Sequence, residues 1–371
     1  MKSSYNQDKK ILIIVSTPMV IEFFLEDILR AVNKKFEVTI ACNKNDYPDY
    51  FNKISSTFHM VHIPIKRNIN LLFDLYAFAK LFIYLLFNRF DIIHSVTPKA
   101  GLLTMIASWV TFNKIRVHTF QGQIWPIKSG LMRFILKSTD LITSKLSSFL
   151  LFVSNSEINF LLKNNILSKK QKYFLINNGS ISGINLKKFK TNRLSSKKKF
   201  TFIFLGRVHK DKGIDILLEA FCKFNKKNES RLFIVGPLET YEQEFFLKFE
   251  NVKYIKKTKN QEKFLAMSDC LILPSYREAF GMVVLEANAM GIPVIGTNIY
   301  GLNESIKNGF NGLLCKVGSS ASLLSKMNKI YYDKNIYLDI SLNAKANVEK
   351  KFDRKDYIEF YINFYTSLIS S

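Results

Sequence analysis

Short continuous apolar runs alternate along this chain with longer stretches in which apolar positions recur every three or four residues. The short runs read as strands buried on both faces, and the 3.6-residue spacing reads as helices covering them. Taken in order, the pattern predicts a strand at 10–17, a helix at 20–34, and strands at 37–42 and 59–65. A helix at 71–88 and strands at 91–96, 114–120 and 149–153 complete a first series. Residues 183–199 break the rhythm: GINLKKFKTNRLSSKKK has no apolar period, and all its charges are basic, so it is expected to be a linker. A second series follows at once. It has strands at 200–205, 231–235, 252–256, 270–274, 293–297 and 312–315, with helices at 213–225 and 280–290 among them, and an aromatic-rich helix at 354–370 ends it. Strand–helix alternation of this kind predicts α/β architecture with two consecutive doubly wound, Rossmann-like domains. The expected boundaries are 1–182, linker 183–199, and 200–351, with helix 352–371 packing back on the first domain.

A length of 371 residues fits two such domains, and 47% hydrophobic content excludes a disordered polymer. The four cysteines lie far apart without a CxxC pair, as buried thiols of a reducing, cytoplasmic compartment do. The polar opening MKSSYNQDKK has no secretory pattern, and the most apolar helix carries Asp74 and Lys80, so no spanning segment is expected. The formal net charge is +24, with lysine far outnumbering arginine. That excess suits either a solvated lysine-rich surface or attraction to an anionic membrane surface. No nucleic acid is expected as partner, since no nucleic-acid-binding signature accompanies it.

Two segments carry candidate chemistry. In LPSYREAFGMVVLEANAMGIPVIGT (273–297) a buried strand gives way to a polar loop with Glu278, and a helix opens at Phe280 or Gly281. The positive end of such a helix suits a diphosphate. Glu286 lies eight residues after Glu278, too far to share one proton but well placed to accept hydrogen bonds from a second set of hydroxyls. In FTFIFLGRVHKDKGIDILLEAF (200–221) a strand ends at Gly206-Arg207 and Lys212-Gly213 opens a helix. One guanidinium and one ammonium on a short loop can clamp a leaving diphosphate. Read alone, each segment also fits ordinary surface charge. No Asp-x-Asp pair, metal-ligand cluster, GxxxxGK[ST] or GxGxxG is present, so neither a metal nor a bound cofactor is expected.

The first segment resembles the Glu, seven residues, Glu signature of retaining family-4 glycosyltransferases of the GT-B fold, also called group 1 glycosyltransferases. RLFIVGP (231–237), NIYGLNESIKNGFNGLL (298–314) with Gly301 and Glu304, DIIHSVTPKAGLL (91–103) and RVHTFQGQIW (116–125) extend the likeness, the last two toward members that build capsules, O-antigens and lipopolysaccharide. The resemblance implies two Rossmann-like domains facing a central cleft and metal-independent transfer from a nucleoside-diphosphate-sugar, UDP- or GDP-linked. A lipid-linked or saccharide acceptor, such as a polyprenyl-diphosphate-linked saccharide, would receive the sugar at the inner face of the cell membrane. By the same resemblance Arg207 and Lys212 neutralise the diphosphate, beside Gly206. Glu278 holds donor-sugar hydroxyls, Glu286 the ribose, and the amides of Phe280, Gly281, Met282 and Val283 line sugar and phosphate. His118 is expected to end its strand and face the reacting sugar, with a core histidine as the alternative. His94 is expected to be structural, and the base to lie near 255–258. The acceptor would attack on the face the phosphate leaves, with a phosphate oxygen taking its proton.

One departure stands out: STPMVIEFF, after the first strand, lacks the glycine-rich turn usual in that family. Two other readings stay open on the sequence alone, a nucleotide-sugar epimerase of the same fold and a non-catalytic polyanion-binding protein. For membrane contact the candidate surfaces are 71–88 and 128–145, the latter mixing Lys128, Arg133, Lys137 and Lys145 with Leu131, Phe134, Ile135 and Leu136. Packing of those apolar faces into the first domain is the alternative.

Overall fold

The computed structural model describes residues 8–190, 199–256, 258 and 260–370. The chain divides into two compact units, one of Met1–Ser182 with Lys355–Ser371 and one of Gly183–Arg354.

The first unit is built on seven parallel strands. These are β1 (Lys10–Val15), β2 (Glu37–Cys42), β3 (His59–His62), β4 (Ile92–Val96), β5 (Ile115–Phe120), β6 (Phe149–Phe152) and β7 (Tyr173–Leu175), in the order β3-β2-β1-β4-β5-β6-β7. KILIIV and EVTIAC are buried from their second residue onward, as helices on both faces of a parallel sheet require. The order reverses between β1 and β4, where Ser16 Oγ and the Thr97 hydroxyl meet at 3.1 Å. The helix expected at 20–34 begins as one wide turn, Ile21–Leu25, and becomes α-helical at Glu26–Val32.

The C-terminal helix Arg354–Ser370 packs on the first unit through Tyr357, Tyr361 and Tyr365, all buried and four residues apart. Each hydroxyl has an address: Tyr357 donates to the Gly179 carbonyl, Tyr361 to that of Ile181, and Tyr365 pairs with His94 Nδ1. Since a buried hydroxyl without a partner costs free energy, these three bonds fix the helix in position as well as burying its rings.

The second unit has six parallel strands. They are β8 (Phe200–Leu205), β9 (Ser230–Val235), β10 (Val252–Ile255), β11 (Cys270–Leu273), β12 (Val294–Thr297) and β13 (Gly312–Cys315), in the order β10-β9-β8-β11-β12-β13. Here the order reverses between β8 and β11, the place where open α/β sheets bind ligands beyond their strand ends. The expected linker is only partly outside the packing. Ile184 and Phe189 are buried, and Ile184 bridges Asp353 in parallel, which ties this stretch into the second unit. Residues 191–198 of that linker lie outside the described residues, as does Lys257 of the stretch expected to meet the base.

Candidate functional site

The carboxyl ends of β8 and β11 bring the two chemical segments of the second unit together. After Leu205 the chain passes through Gly206 and Arg207 into a tight turn, Lys210–Lys212, and enters the helix Ile214–Asn225 through Gly213, which is left-handed at φ 66°. A Cβ on Gly213 would lie 2.2 Å from the Pro274 carbonyl oxygen. Glycine is therefore what lets the β8 loop close on the β11 loop. Gly301 does the same from a third loop, where a Cβ would stand 2.3 Å from the Glu278 carbonyl oxygen.

That closeness produces the central contact. Lys212 Nζ donates to Glu278 Oε1 at 2.6 Å and to the Arg277 carbonyl at 3.4 Å, and Ser275 Oγ donates to the same Glu278 oxygen at 3.1 Å. Both charged side chains are mostly buried, so the pair is held in a medium that strengthens it. Arg207 pairs with Glu239 and stands 3.9 Å from Asp211. Asp211 also meets His209 Nδ1 at 2.7 Å and Arg277 at 3.4 Å. Burial alone would raise the Asp211 carboxyl, but Lys212, His209, Arg277 and Arg207 together hold it below the usual range.

The set of paired charges is thus larger than the sequence reading supplied. Arg277, Asp211 and Glu239 belong to it, and each cation is met by a carboxylate. Arg277 sits inside the recognised segment, one residue before Glu278, and its sequence position alone gave no sign that it turns back toward Asp211. These carboxylates keep the cations oriented without leaving them bare.

The helix after β11 starts at Met282, one or two residues later than expected, with Gly281 as its left-handed N-cap at φ 77°. The Phe280 ring is buried and packs 5.8 Å from the Phe352 ring, so only its backbone faces the loop chemistry. The N–H of Val284 already donates to the Gly281 carbonyl. Met282 and Val283 form the first turn, at the positive end of the helix dipole. Glu286 lies a turn further in. Its Oε1 accepts from Gln261 Nε2 at 2.8 Å, while Oε2 is buried without a partner. Burial pushes this carboxyl up to about 7 against the pull of Lys188 and Arg354. Glu278 and Glu286 therefore have separate surroundings.

In the first unit His118 has the enclosed setting of the core alternative. Strand β5 continues through Thr119 to Phe120, so His118 does not end it, and the ring is 1% exposed. Ser95 Oγ lies 2.9 Å from its Nδ1, the Phe120 ring stands edge-on at 4.6 Å, and a Cβ on Gly101 would come within 2.4 Å of its Cε1. Desolvation pushes the imidazole down to about 3, so it is neutral at physiological pH. His94 is equally enclosed, with Tyr365 and the Thr119 hydroxyl on its two nitrogens at 2.6 and 2.7 Å. The residue that follows the strand end is Gln121, whose buried Nε2 has no partner. Next to it, Glu157 accepts from the Gly122 amide at 2.6 Å and from Gln123 Nε2 at 2.8 Å, holding the loop at this strand end. The sequence reading set this strand end at 120, where it falls, but did not single out Gln121. Among the described residues no cluster of His, Cys, Asp and Glu could hold a metal ion.

Comparison with known proteins follows the same division. Residues 186–347 match the family Glycosyl transferases group 1, and residues 21–179 match Glycosyltransferase Family 4. The capsular polysaccharide biosynthesis glycosyltransferase CapM of Staphylococcus aureus is 29% identical, over 88% of each chain. The UDP-Gal:alpha-D-GlcNAc-diphosphoundecaprenol alpha-1,3-galactosyltransferase of Escherichia coli is 26% identical, over 89% of this chain and 91% of its own. Among solved structures, sucrose-phosphate synthase from Thermosynechococcus elongatus superposes with a TM-score of 0.82 at 17% identity, covering 98% of this chain and 99% of its own. Anabaena Alr3699/HepE, in complex with UDP and glucose, gives 0.77 at 19% identity, covering 97% of this chain and all of its own.

Proposed function

This chain belongs to the group 1, family 4 glycosyltransferases and carries the GT-B fold, and from that premise we propose that it transfers a sugar, with retention and without a metal, from a nucleoside-diphosphate-sugar to a polyprenyl-diphosphate-linked saccharide in surface-polysaccharide biosynthesis. The observation that carries the reading is the Lys212–Glu278–Ser275 cluster at the strand-order reversal of the second unit. Glycosyl transfer needs a stabilised leaving diphosphate and a positioned sugar. Arg207 and Lys212, with Arg277 beside them, receive the diphosphate oxygens. Glu278 exchanges its ammonium partner for donor-sugar hydroxyls, and the backbone from Phe280 to Val283 lines phosphate and sugar. Glu286 offers its spare oxygen to the ribose. None of the carboxylates described is set apart as a nucleophile, which supports attack from the leaving-group face with a phosphate oxygen taking the acceptor proton.

His118, enclosed beneath Gly101, takes a supporting place under the β5 end rather than touching the sugar. The names of the relatives support capsule or O-antigen assembly, with a UDP-linked donor and a diphosphoundecaprenol-linked acceptor in the Escherichia coli case. The inner face of the cell membrane is where such an acceptor would be met.

The test is to incubate the purified protein with radiolabelled UDP- and GDP-sugars and a membrane extract, with and without excess EDTA. The expected outcome is acceptor-dependent transfer from one donor, with the anomeric configuration kept and no response to chelation. Label that moves without an acceptor, or transfer abolished by EDTA and restored by Mg²⁺, would reject the proposed chemistry.

A further inference from the structure

Glu286 is held from outside its own motif. It lies on the helix Met282–Ala289, which follows β11. Gln261 opens a different helix, Gln261–Ala266, on the crossover that runs from β10 past β9 and β8 to β11. That path brings the two side chains together, and Gln261 Nε2 donates to Glu286 Oε1 at 2.8 Å. Among the described residues this is the carboxylate's one hydrogen bond, since Oε2 is buried without a partner.

The other groups that bear on Glu286 act through charge. Lys188 comes from the segment before β8, Arg354 from the start of the C-terminal helix, and Glu262 from the crossover beside Gln261. Burial raises the Glu286 carboxyl most. Lys188 and Arg354 pull it back, Glu262 adds to the rise, and the Gln261 hydrogen bond lowers it again. Lys188 Nζ stands 3.9 Å from Glu262 Oε2, beyond hydrogen-bond range, and that oxygen is likewise buried without a partner.

A glutamate side chain loses rotamer freedom when a ligand uses it, and that loss counts against binding. Here one oxygen is fixed in advance by an amide. The amide is neutral, so it orients the carboxylate without cancelling the charge that a ligand would meet. What remains is one buried oxygen that can only accept, and a hydroxyl is the group of a nucleotide that can donate to it.

We propose that Gln261 is a positioning residue for the ribose: by occupying Oε1 of Glu286 it fixes the carboxylate and leaves Oε2 to accept from a ribose hydroxyl. The proposal rests on the reading of Glu286 as the ribose-binding group, and its test keeps the two apart.

The experiment uses the full chain as wild type, Gln261→Leu, Gln261→Lys, Glu262→Gln and Glu286→Gln, and it has two arms. In the first, NMR of protein carrying labelled glutamate carboxyl carbons follows the Glu286 signal with pH, the signal being the one that Glu286→Gln lacks. In the second, calorimetry across neutral pH measures binding of UDP-glucose and GDP-mannose, and of their 2′-deoxyribose and 3′-deoxyribose forms. Gln261→Leu should move the carboxyl titration and the rise of affinity upward together, by about half a pH unit or more. It should also lose several-fold in affinity for the ribose form, with no loss for the form lacking the contacted hydroxyl. Glu262→Gln removes a like charge and should move both curves downward. Gln261→Lys restores a donor and adds a positive charge, so it too should move them downward, and it serves if Gln261→Leu folds poorly. A Glu286 titration that stays in place in folded Gln261→Leu overturns the proposal. So does a moved titration with unchanged affinity, or an equal loss for the ribose and deoxyribose forms, which marks general damage. Wild-type affinity and pH dependence in Glu286→Gln would reject the ribose assignment itself and the proposal with it. The first arm needs no nucleotide, so that failure is told apart from a failure of Gln261 to hold the carboxylate.

Discussion

The two units solve opposite electrostatic problems on the same kind of sheet. At the strand ends of the second unit charge is kept: Arg207, Lys212 and Arg277 face Asp211, Glu239 and Glu278 in mutual pairs. In the core of the first unit four buried groups are pushed toward neutrality, although Lys99 still pairs with Asp74 in that unit. Burial pushes His94 and His118 down to about 3, and Asp140 and Glu157 up to about 7. The polar groups there are frame members, with Asp140 accepting from Trp125 Nε1 at 2.9 Å and Glu157 clamping the loop after β5. On the proposed reading a site for a diphosphate has to keep fixed cations, which a packed framework does not need. The contrast explains why the second unit announces itself in charged motifs and the first does not.

Removing a cation from the second unit tests the contrast most severely. Lys212→Ala takes away the main partner of Glu278 and, on the proposed reading, one diphosphate ligand, and roughly 2–4 kcal/mol of transition-state stabilisation should go with them, as when an electrostatic stabiliser is lost elsewhere. Turnover of a labelled donor measures the effect. Wild-type turnover in a folded Lys212→Ala protein would mean that the paired charges of the second unit are structural.

The two glutamates divide the next, smaller effect. Glu286→Gln should weaken nucleotide-sugar binding by about tenfold, since it removes a hydrogen bond to a charged acceptor. Glu278→Gln should lower turnover more than binding. A pH series sharpens this. The Glu286 carboxyl lies at about 7, so if its ionised form holds the ribose, affinity should rise as pH passes upward through 7 and flatten in the glutamine variant. A nucleotide-sugar is the right probe, because its diphosphate diester stays fully ionised across that range. The same raised value means that ionising Glu286 costs folded-state stability as pH rises, the reverse of its effect on binding. Calorimetry reads both variants, and equal losses of binding would reject the division of labour.

What the sequence made legible follows from the same contrast. Both sheets and most strands could be read because parallel strands are continuous apolar runs, and the β11 loop and helix could be read from their motif. Strand β7 escaped because Tyr173–Leu175 is three residues long and half-exposed, with no burial pattern to mark it. The linker was drawn too long because Ile184 and Phe189, two buried residues among lysines, make no period. The end of β5 at Phe120 was legible, whereas the enclosure of His118 was not, because it depends on Ser95 of β4 and Gly101 of the helix after it. Arg277 and Glu239 were missed because ion pairs between loops depend on how closely the backbones approach, which glycines such as Gly213 decide in three dimensions.

The smallest effect is expected in the first unit, and it sharpens the comparison from that side. Tyr365→Phe deletes one hydroxyl, 2.6 Å from His94 Nδ1, and leaves the ring in place against Phe36. His94 keeps Thr119 on its other nitrogen but is left with one buried, unpaired polar atom. An orphaned buried group of that kind costs about 1–3 kcal/mol. The melting temperature should therefore fall by several degrees, since in a protein of this size each kcal/mol moves it only a few degrees. Donor turnover per folded molecule, measured well below the melting range, should stay at the wild-type value, because the charged groups lie in the other unit. If turnover fell while the melting temperature held, His94 and its tyrosine would belong to the chemistry. The neutral framework of the first unit would then have to be read as part of the active site.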